Sequence, residues 1–251
     1  NTFKNCSYDQ MKDMPDGSKQ KTGQVSLQKP ITVLFEGVDT DVYKPLESKD
    51  INSDFSKKLD GLIKENFAYL HVGQWTRGKY GEDRKNIPLL IKCFLQAFTN
   101  HPAPPALVLK TSGADFSILD REETIKNIKN IKKQFASADR LPSIYLIHGD
   151  LTIKQMSHLY NNPKIKCFIS CTHGEGFGRP LLEASCCGLP VIASKWSGHL
   201  DFLDESDSLL IEGHLKDVPE DQIWKPIIVK PSKWFNPTEA DVIRKIRMFH
   251  K

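Results

Sequence analysis

Residues 166–203 read KCFISCTHGEGFGRPLLEASCCGLPVIASKWSGHLDFL. A short apolar run, Cys167 to Ser170, has strand length and ends in a turn. His173, Gly174, Glu175, Gly176, Phe177 and Gly178 follow, a loop whose three glycines let the backbone approach a ligand closely. Arg179 and Pro180 stand where a helix should begin, because proline lacks an N–H that would be unpaired there anyway. Leu181, Leu182, Ser185 and Cys186 continue with helical spacing, Gly188 closes the helix, and Pro190 prevents its continuation. A second apolar strand is expected at 191–193. The unit is strand, glycine loop, helix, strand.

A glycine loop that feeds a helix N-terminus presents unpaired N–H groups and the positive end of the helix dipole, which suits a phosphate or diphosphate. Glu175 lies on the loop and Glu183 about two turns into the expected helix, eight positions later. Carboxylates flanking an anion site cannot bind the anion. They can accept hydrogen bonds from hydroxyls on either side, such as those of a sugar and a ribose.

Outward from this stretch the pattern repeats. The run FAYLHVG at 67–73 reads as a strand and is followed by the loop QWTRGKYGEDRKN. Ile87, Leu90, Ile91, Phe94, Leu95 and Phe98 then mark one buried helical face. Strands are expected at 106–110, 143–147 and 208–211, with helices near 120–135 and from the Thr152 cap to Tyr160. Pro237, Thr238 and Glu239 open a last helix. Residues 212–235 read as loop. Strands alternating with helices argue for an α/β, Rossmann-like, doubly wound and mostly parallel sheet with helices on both faces, ligands binding at the carboxyl ends of its strands.

The rest of the chain narrows the function classes. Of 251 residues, 39% are hydrophobic and 26% charged; 35 basic against 31 acidic residues leave +4, too mild a charge for a nucleic-acid binder. No run approaches a membrane span. The six cysteines form neither a zinc ribbon nor a secreted framework and read as reduced apolar residues of a cytoplasmic protein, with peripheral contact to anionic lipid left open. No metal site is expected; His173 near Cys171 lacks a complete ligand set. Residues 1–29 are polar, a connector or hairpin, and 30–251 form the folded domain, beginning with a strand at 31–35.

Glu175, the seven residues GFGRPLL and Glu183, with the flanking EASCCGLPVIAS and the WSGH loop, resemble the paired-glutamate motif of retaining glycosyltransferases of the GT-B fold, family 4 above all. The passage Glu36, Gly37, Val38, Asp39 is similar to the one that begins the C-terminal half of that fold. The resemblance implies the donor-binding half of a metal-independent retaining glycosyltransferase, with the N-terminal acceptor domain missing from this chain. No cofactor is implied. The partners would be a nucleotide-diphosphate sugar as donor and a glycan, lipid-linked or protein acceptor.

By the same resemblance Glu175 and Lys85 are the catalytic candidates. Glu175 would hold donor-sugar hydroxyls and favour a cationic transition state; Lys85 would meet the diphosphate. Glu183 would hold the ribose; Gly176, Phe177, Gly178, Arg179, Gly73 and Leu151 would complete the donor site, with the loop after the 143–147 strand reading the base through its backbone. Gln74 stands where the family has an arginine, and Arg77 or Arg84 could replace it. The WSGH loop would approach the donor sugar, with Trp196 there or in the core. A sugar-nucleotide epimerase, a phosphorylase, or a non-catalytic nucleotide-sugar or glycan-binding module would share these features.

Overall fold

The computed structural model describes residues 7–26, 28–32, 34–47, 49–51, 53–75, 83–223, 228 and 231–251. The chain divides into two compact units, Asn1–Gly37 and Val38–Lys251. In the first, β1 (Ser7–Asp13) and β2 (Lys19–Ser26) pair antiparallel around a turn in which Gly17 takes a positive φ. The strand expected at 31–35 is not formed among its described residues. Leu34 is 92% exposed there, because an apolar run becomes a strand only where a neighbour pairs with its backbone.

The second unit runs α1 (Asp54–Leu62), β3 (Ala68–Val72), α2 (Ile87–Phe98), β4 (Ala106–Lys110), α3 (Ile118–Lys133), β5 (Ile144–Ile147), α4 (Ile153–Tyr160), β6 (Ile165–Ser170), α5 (Arg179–Cys186), β7 (Val191–Ser194), β8 (Leu209–Ile211), β9 (Gly213–Asp217), β10 (Lys233–Pro237) and α6 (Glu239–His250). Strands β3 to β8 form one parallel sheet in the order β5-β4-β3-β6-β7-β8. This is the doubly wound α/β sheet that the alternating pattern implied.

Side chains alternate across the sheet. Tyr69, Leu107, Leu109 and Ile169 enter one core with the α2 residues Ile87, Leu90, Ile91, Phe94, Leu95 and Phe98. Leu70, Val108 and Phe168 enter the other, beneath α1, α4 and α5. Helix ends follow local chemistry. Ser117 caps α3 and Thr152 forms a capping box with Gln155 at α4. At the end of α5, Gly188 turns the chain with a φ of 75°.

Three expectations change. Glu183 is the fifth residue of α5, little more than one turn from its start, because three of the positions that separate it from Glu175, Gly176 to Gly178, belong to the loop. Pro237 ends β10, and Thr238 precedes the last helix. Within 212–235, read as loop, β9 and β10 pair as an antiparallel ribbon that no alternation of apolar residues announces. The ribbon instead takes its place through backbone and ring contacts with the 173–175 loop.

Candidate functional site

The carboxyl ends of β3, β6 and β7 bring three loops together, and their backbones are tied to one another. His173 N–H donates to the Arg84 carbonyl at 2.9 Å, and the Thr172 hydroxyl donates to the same oxygen at 3.2 Å. Ser197 Oγ accepts from the Glu175 N–H at 2.7 Å and donates to the Glu175 carbonyl at 3.0 Å. Gly198 N–H reaches that carbonyl too, at 3.1 Å. Position 198 must be glycine, because a Cβ there would overlap the Gly176 carbonyl oxygen. Ser197 itself sits at φ 81°, ψ −159°, a region that is essentially glycine-only. Its hydroxyl contacts with Glu175 hold it there.

Asp83 builds the turn before α2, a role the sequence reading missed. Its buried carboxylate accepts from Lys85 N–H at 3.3 Å and from Ile87 N–H at 3.1 Å, and Asn86 adopts a left-handed φ of 55°. An aspartate three residues before an asparagine at a helix start was the available signal. The turn aims Arg84 and Lys85 at the glycine loop.

Lys85 Nζ lies 2.7 Å from Glu175 Oε1, and Arg84 Nη1 lies 3.3 Å from Oε2 while donating to the Gly174 carbonyl at 2.8 Å. The Glu175 and Lys85 side chains are 7% and 12% exposed. Burial pushes the Glu175 carboxyl up, but Lys85, by charge and hydrogen bond, and Arg84 outweigh it and hold the group below the usual glutamate range. Gly73 leaves room for the His71 ring beneath the lysine: a Cβ there would stand 2.9 Å from His71 Nε2 and 3.4 Å from Lys85 Cδ.

Imidazoles surround the pair. His71 is fully buried and donates from Nδ1 to the Ile169 carbonyl at 2.9 Å; its Nε2 has no hydrogen-bond partner among the described residues. Burial pushes its pKa down to about 4, so the ring is neutral near pH 7. His199 is held in the same way by the Ser194 carbonyl at 2.6 Å, and burial lowers it too. His173 donates from Nδ1 to the Phe235 carbonyl at 2.7 Å and stacks on Trp234 at 4.9 Å, so the β9–β10 ribbon braces the Glu175 loop. Among the described residues no three His, Cys, Asp or Glu groups converge as a metal-ligand set.

Glu183 stands apart from Glu175. It is 8% exposed, and Tyr160 donates its phenol to Oε2 at 3.0 Å. Burial raises its pKa against the opposing pull of Tyr160, Arg179 and Tyr43. Tyr43 is in turn pushed up to about 12 by burial and by Glu183.

The remaining expected residues are spread along the same edge. Gly176 and Arg179 are exposed, Phe177 packs on Phe202 at 5.4 Å, and Gly178 precedes α5 with a φ of 93°. Gln74 donates its amide to the Gly113 carbonyl at 2.8 Å, linking the β3 and β4 loops. Leu151, after β5, packs against the second core. His148 bonds Asp120 at 2.8 Å, a structural contact. Trp196 is 40% exposed and lies parallel to Phe235 at 6.2 Å, on the site's rim and outside the core. Arg77 and Lys79 lie outside the described residues.

Comparison with known proteins gives the family and the fold. The family described as "Glycosyl transferases group 1" matches residues 82–223, more than half of the chain and the span that holds Lys85, Glu175 and Glu183. The capsular polysaccharide biosynthesis glycosyltransferase CapM of Staphylococcus aureus is 24% identical over 201 residues, 79% of this chain and 47% of that protein. The chain thus spans about half the length of the curated relative it matches. Among solved structures, the C-terminal domain of a glycosyl transferase group 1 family protein (LpcC) from Francisella tularensis aligns with a TM-score of 0.55 at 19% identity, covering 85% of this chain and 88% of that one. Sucrose-phosphate synthase from Thermosynechococcus elongatus gives 0.53 at 19% identity, covering 85% and 42%. These two likenesses establish the fold, that of a GT-B C-terminal domain. With the family match across the site, the chain belongs to the group 1 glycosyl transferases.

Proposed function

We propose that this chain is the donor-binding half of a retaining glycosyltransferase that moves a sugar from a nucleoside-diphosphate sugar to an acceptor held by a further domain. The observation that carries the reading is the convergence of Lys85, Glu175 and the start of α5 at the carboxyl edge of adjacent strands β3 and β6. An anion and a polyhydroxylated ring would meet there.

Lys85 carries three N–H donors and uses one of them on Glu175, so it can bridge the carboxylate to a diphosphate without releasing it. As the bond to the leaving diphosphate lengthens, its charge would be stabilised by the ammonium and the α5 dipole, preorganised and needing no divalent metal. Glu175, kept ionised by Lys85, would accept from donor-sugar hydroxyls and stabilise the positive charge developing at the sugar carbon. Glu183 would take the ribose hydroxyls with the lone pairs that Tyr160 leaves free. Gly73, Gly176, Gly178 and Leu151 would contribute backbone around the nucleotide, and Arg84 would take the place of the arginine that Gln74 replaces. Acceptor binding, a cytoplasmic setting and contact with a membrane surface belong to the same proposal; among the described residues no helix is long and apolar enough to cross a membrane.

Calorimetric titration with uridine, guanosine and adenosine diphosphates and their sugar conjugates tests it. One nucleotide should bind saturably and lose about ten-fold or more in affinity in Lys85→Ala and Glu183→Ala, the range for a charge-assisted hydrogen bond. Binding that both substitutions leave unchanged would move the donor elsewhere. Transfer with inversion, shown by the product's anomeric configuration, would end the retaining assignment.

A further inference from the structure

A second cleft, of about 410 Å³, opens at the carboxyl ends of β3 and β4. Gly73, Gln74, Lys110, Thr111 and Phe116 are among its walls. It adjoins the Lys85–Glu175 pair through Gly73, a wall of the cleft at which a Cβ would stand 3.4 Å from Lys85 Cδ. Strand order explains the adjacency. β4, β3 and β6 are consecutive, and at about 4.8 Å between neighbours the Lys110 end lies about 10 Å from the Glu175 loop, close to the span of a nucleoside diphosphate.

The cleft contains an ammonium without a carboxylate partner among the described residues and a phenyl ring that packing leaves half exposed. Lys110 ends β4 half-buried, and no ion pair with a carboxylate holds it among the described residues. Burial pushes its pKa down while the Asp150 charge pulls the other way, and among the described residues its ammonium makes no hydrogen bond. Phe116 is 51% exposed, with the Lys110 ammonium 5.4 Å from its ring centre.

The platform is preformed. Asp120 accepts from the N–H groups of Gly113 and Ala114 at 2.9 Å each and from His148 at 2.8 Å; His148 in turn meets the edge of Phe116 at 6.1 Å. An aromatic ring held in place, with an underused N–H donor beside it, suits a flat heterocycle that carries a carbonyl.

We infer that Lys110 and Phe116 hold the base of the donor nucleotide, the phenyl ring against its face and the ammonium on a ring carbonyl, and thereby select uracil or guanine over adenine. Uracil and guanine present a carbonyl oxygen where adenine presents an amino group, which would face the ammonium donor to donor. This rests on the donor reading above and adds to it the class of nucleotide. The phosphates stay with Lys85, so Lys110 acts on base identity.

The test is calorimetric titration of the whole chain with uridine, guanosine and adenosine diphosphates, repeated on Lys110→Met, Lys110→Arg and Phe116→Ala, each checked for folding by circular dichroism. The expected result is that the uridine or guanosine nucleotide binds at least about ten-fold more tightly than the adenosine one. Lys110→Met should remove most of that preference by weakening the favoured nucleotide alone. Lys110→Arg should restore part of it, and Phe116→Ala should weaken all three. Saturable binding without base preference, or an equal loss for all three in Lys110→Met, overturns this inference and leaves the donor reading standing. No binding of any nucleotide to the folded chain overturns both.

Discussion

Lys85 and Glu175 lie ninety residues apart in sequence and 2.7 Å apart in space, both nearly buried. Their pairing joins the turn before α2 to the loop before α5, and with it the two strands β3 and β6. Neither residue can be altered in isolation, because each is the main charge partner that the other has inside the fold.

Lys85→Met should leave the Glu175 carboxylate buried with only the half-exposed Arg84 beside it. Breaking a buried pair costs about 3–5 kcal/mol, and Arg84 should hold the loss to the lower end. The double variant with Glu175→Gln should recover much of it. Urea denaturation in a double-mutant cycle measures this. Its pH dependence has a definite sign: the folded pKa of Glu175 is depressed, so the stabilisation is present above the ordinary glutamate range and is lost as pH falls through the folded value. Additive single variants would show that the pair contributes nothing.

Ser197 separates strain from tethering. Ser197→Gly relieves a backbone conformation that costs about 1–3 kcal/mol and loses a hydroxyl tie of similar size, so its stability should stay within about 1 kcal/mol of the parent. Ser197→Ala keeps the strain and loses the tie, and should be the less stable of the two by at least about 1 kcal/mol. Thermal melts of both decide it; equal melting temperatures would show that the hydroxyl does not hold the Glu175 loop.

Glu183 should behave in the opposite way to Glu175. Its folded pKa is raised by burial, so ionisation destabilises the fold as pH rises from the ordinary glutamate range through the raised value. Glu183→Gln should therefore melt higher than the parent at pH 7 and show no advantage near pH 4, while losing nucleotide affinity. A stability trade of this kind would fit the proposed role of Glu183 in holding the donor. Parallel melting curves at both pH values would show that Glu183 ionises without cost.

Much of the fold was legible in local chemistry. The spacing of Ile87, Leu90, Ile91, Phe94, Leu95 and Phe98 located a helix and its buried face, and every one of those side chains is buried. Proline and glycine bounded α5 to within a residue or two at either end. The β9–β10 ribbon was not legible. KWFNP and GHLKD show no alternation, and the ribbon is held by what it meets, the His173 ring and backbone, which lie sixty residues earlier in the chain.

The sequence by itself determined which residues are available for chemistry and in what order the strands and helices alternate, because helix caps, turns and apolar periodicity act over a few residues. Only the tertiary structure decided who meets whom. It set Lys85 on Glu175, enclosed Glu183 with Tyr160, committed Gln74 to Gly113, and left Lys110 beside an exposed Phe116. Those choices depend on strand order and loop register, which bring together groups tens of residues apart. Local propensity carries no record of them.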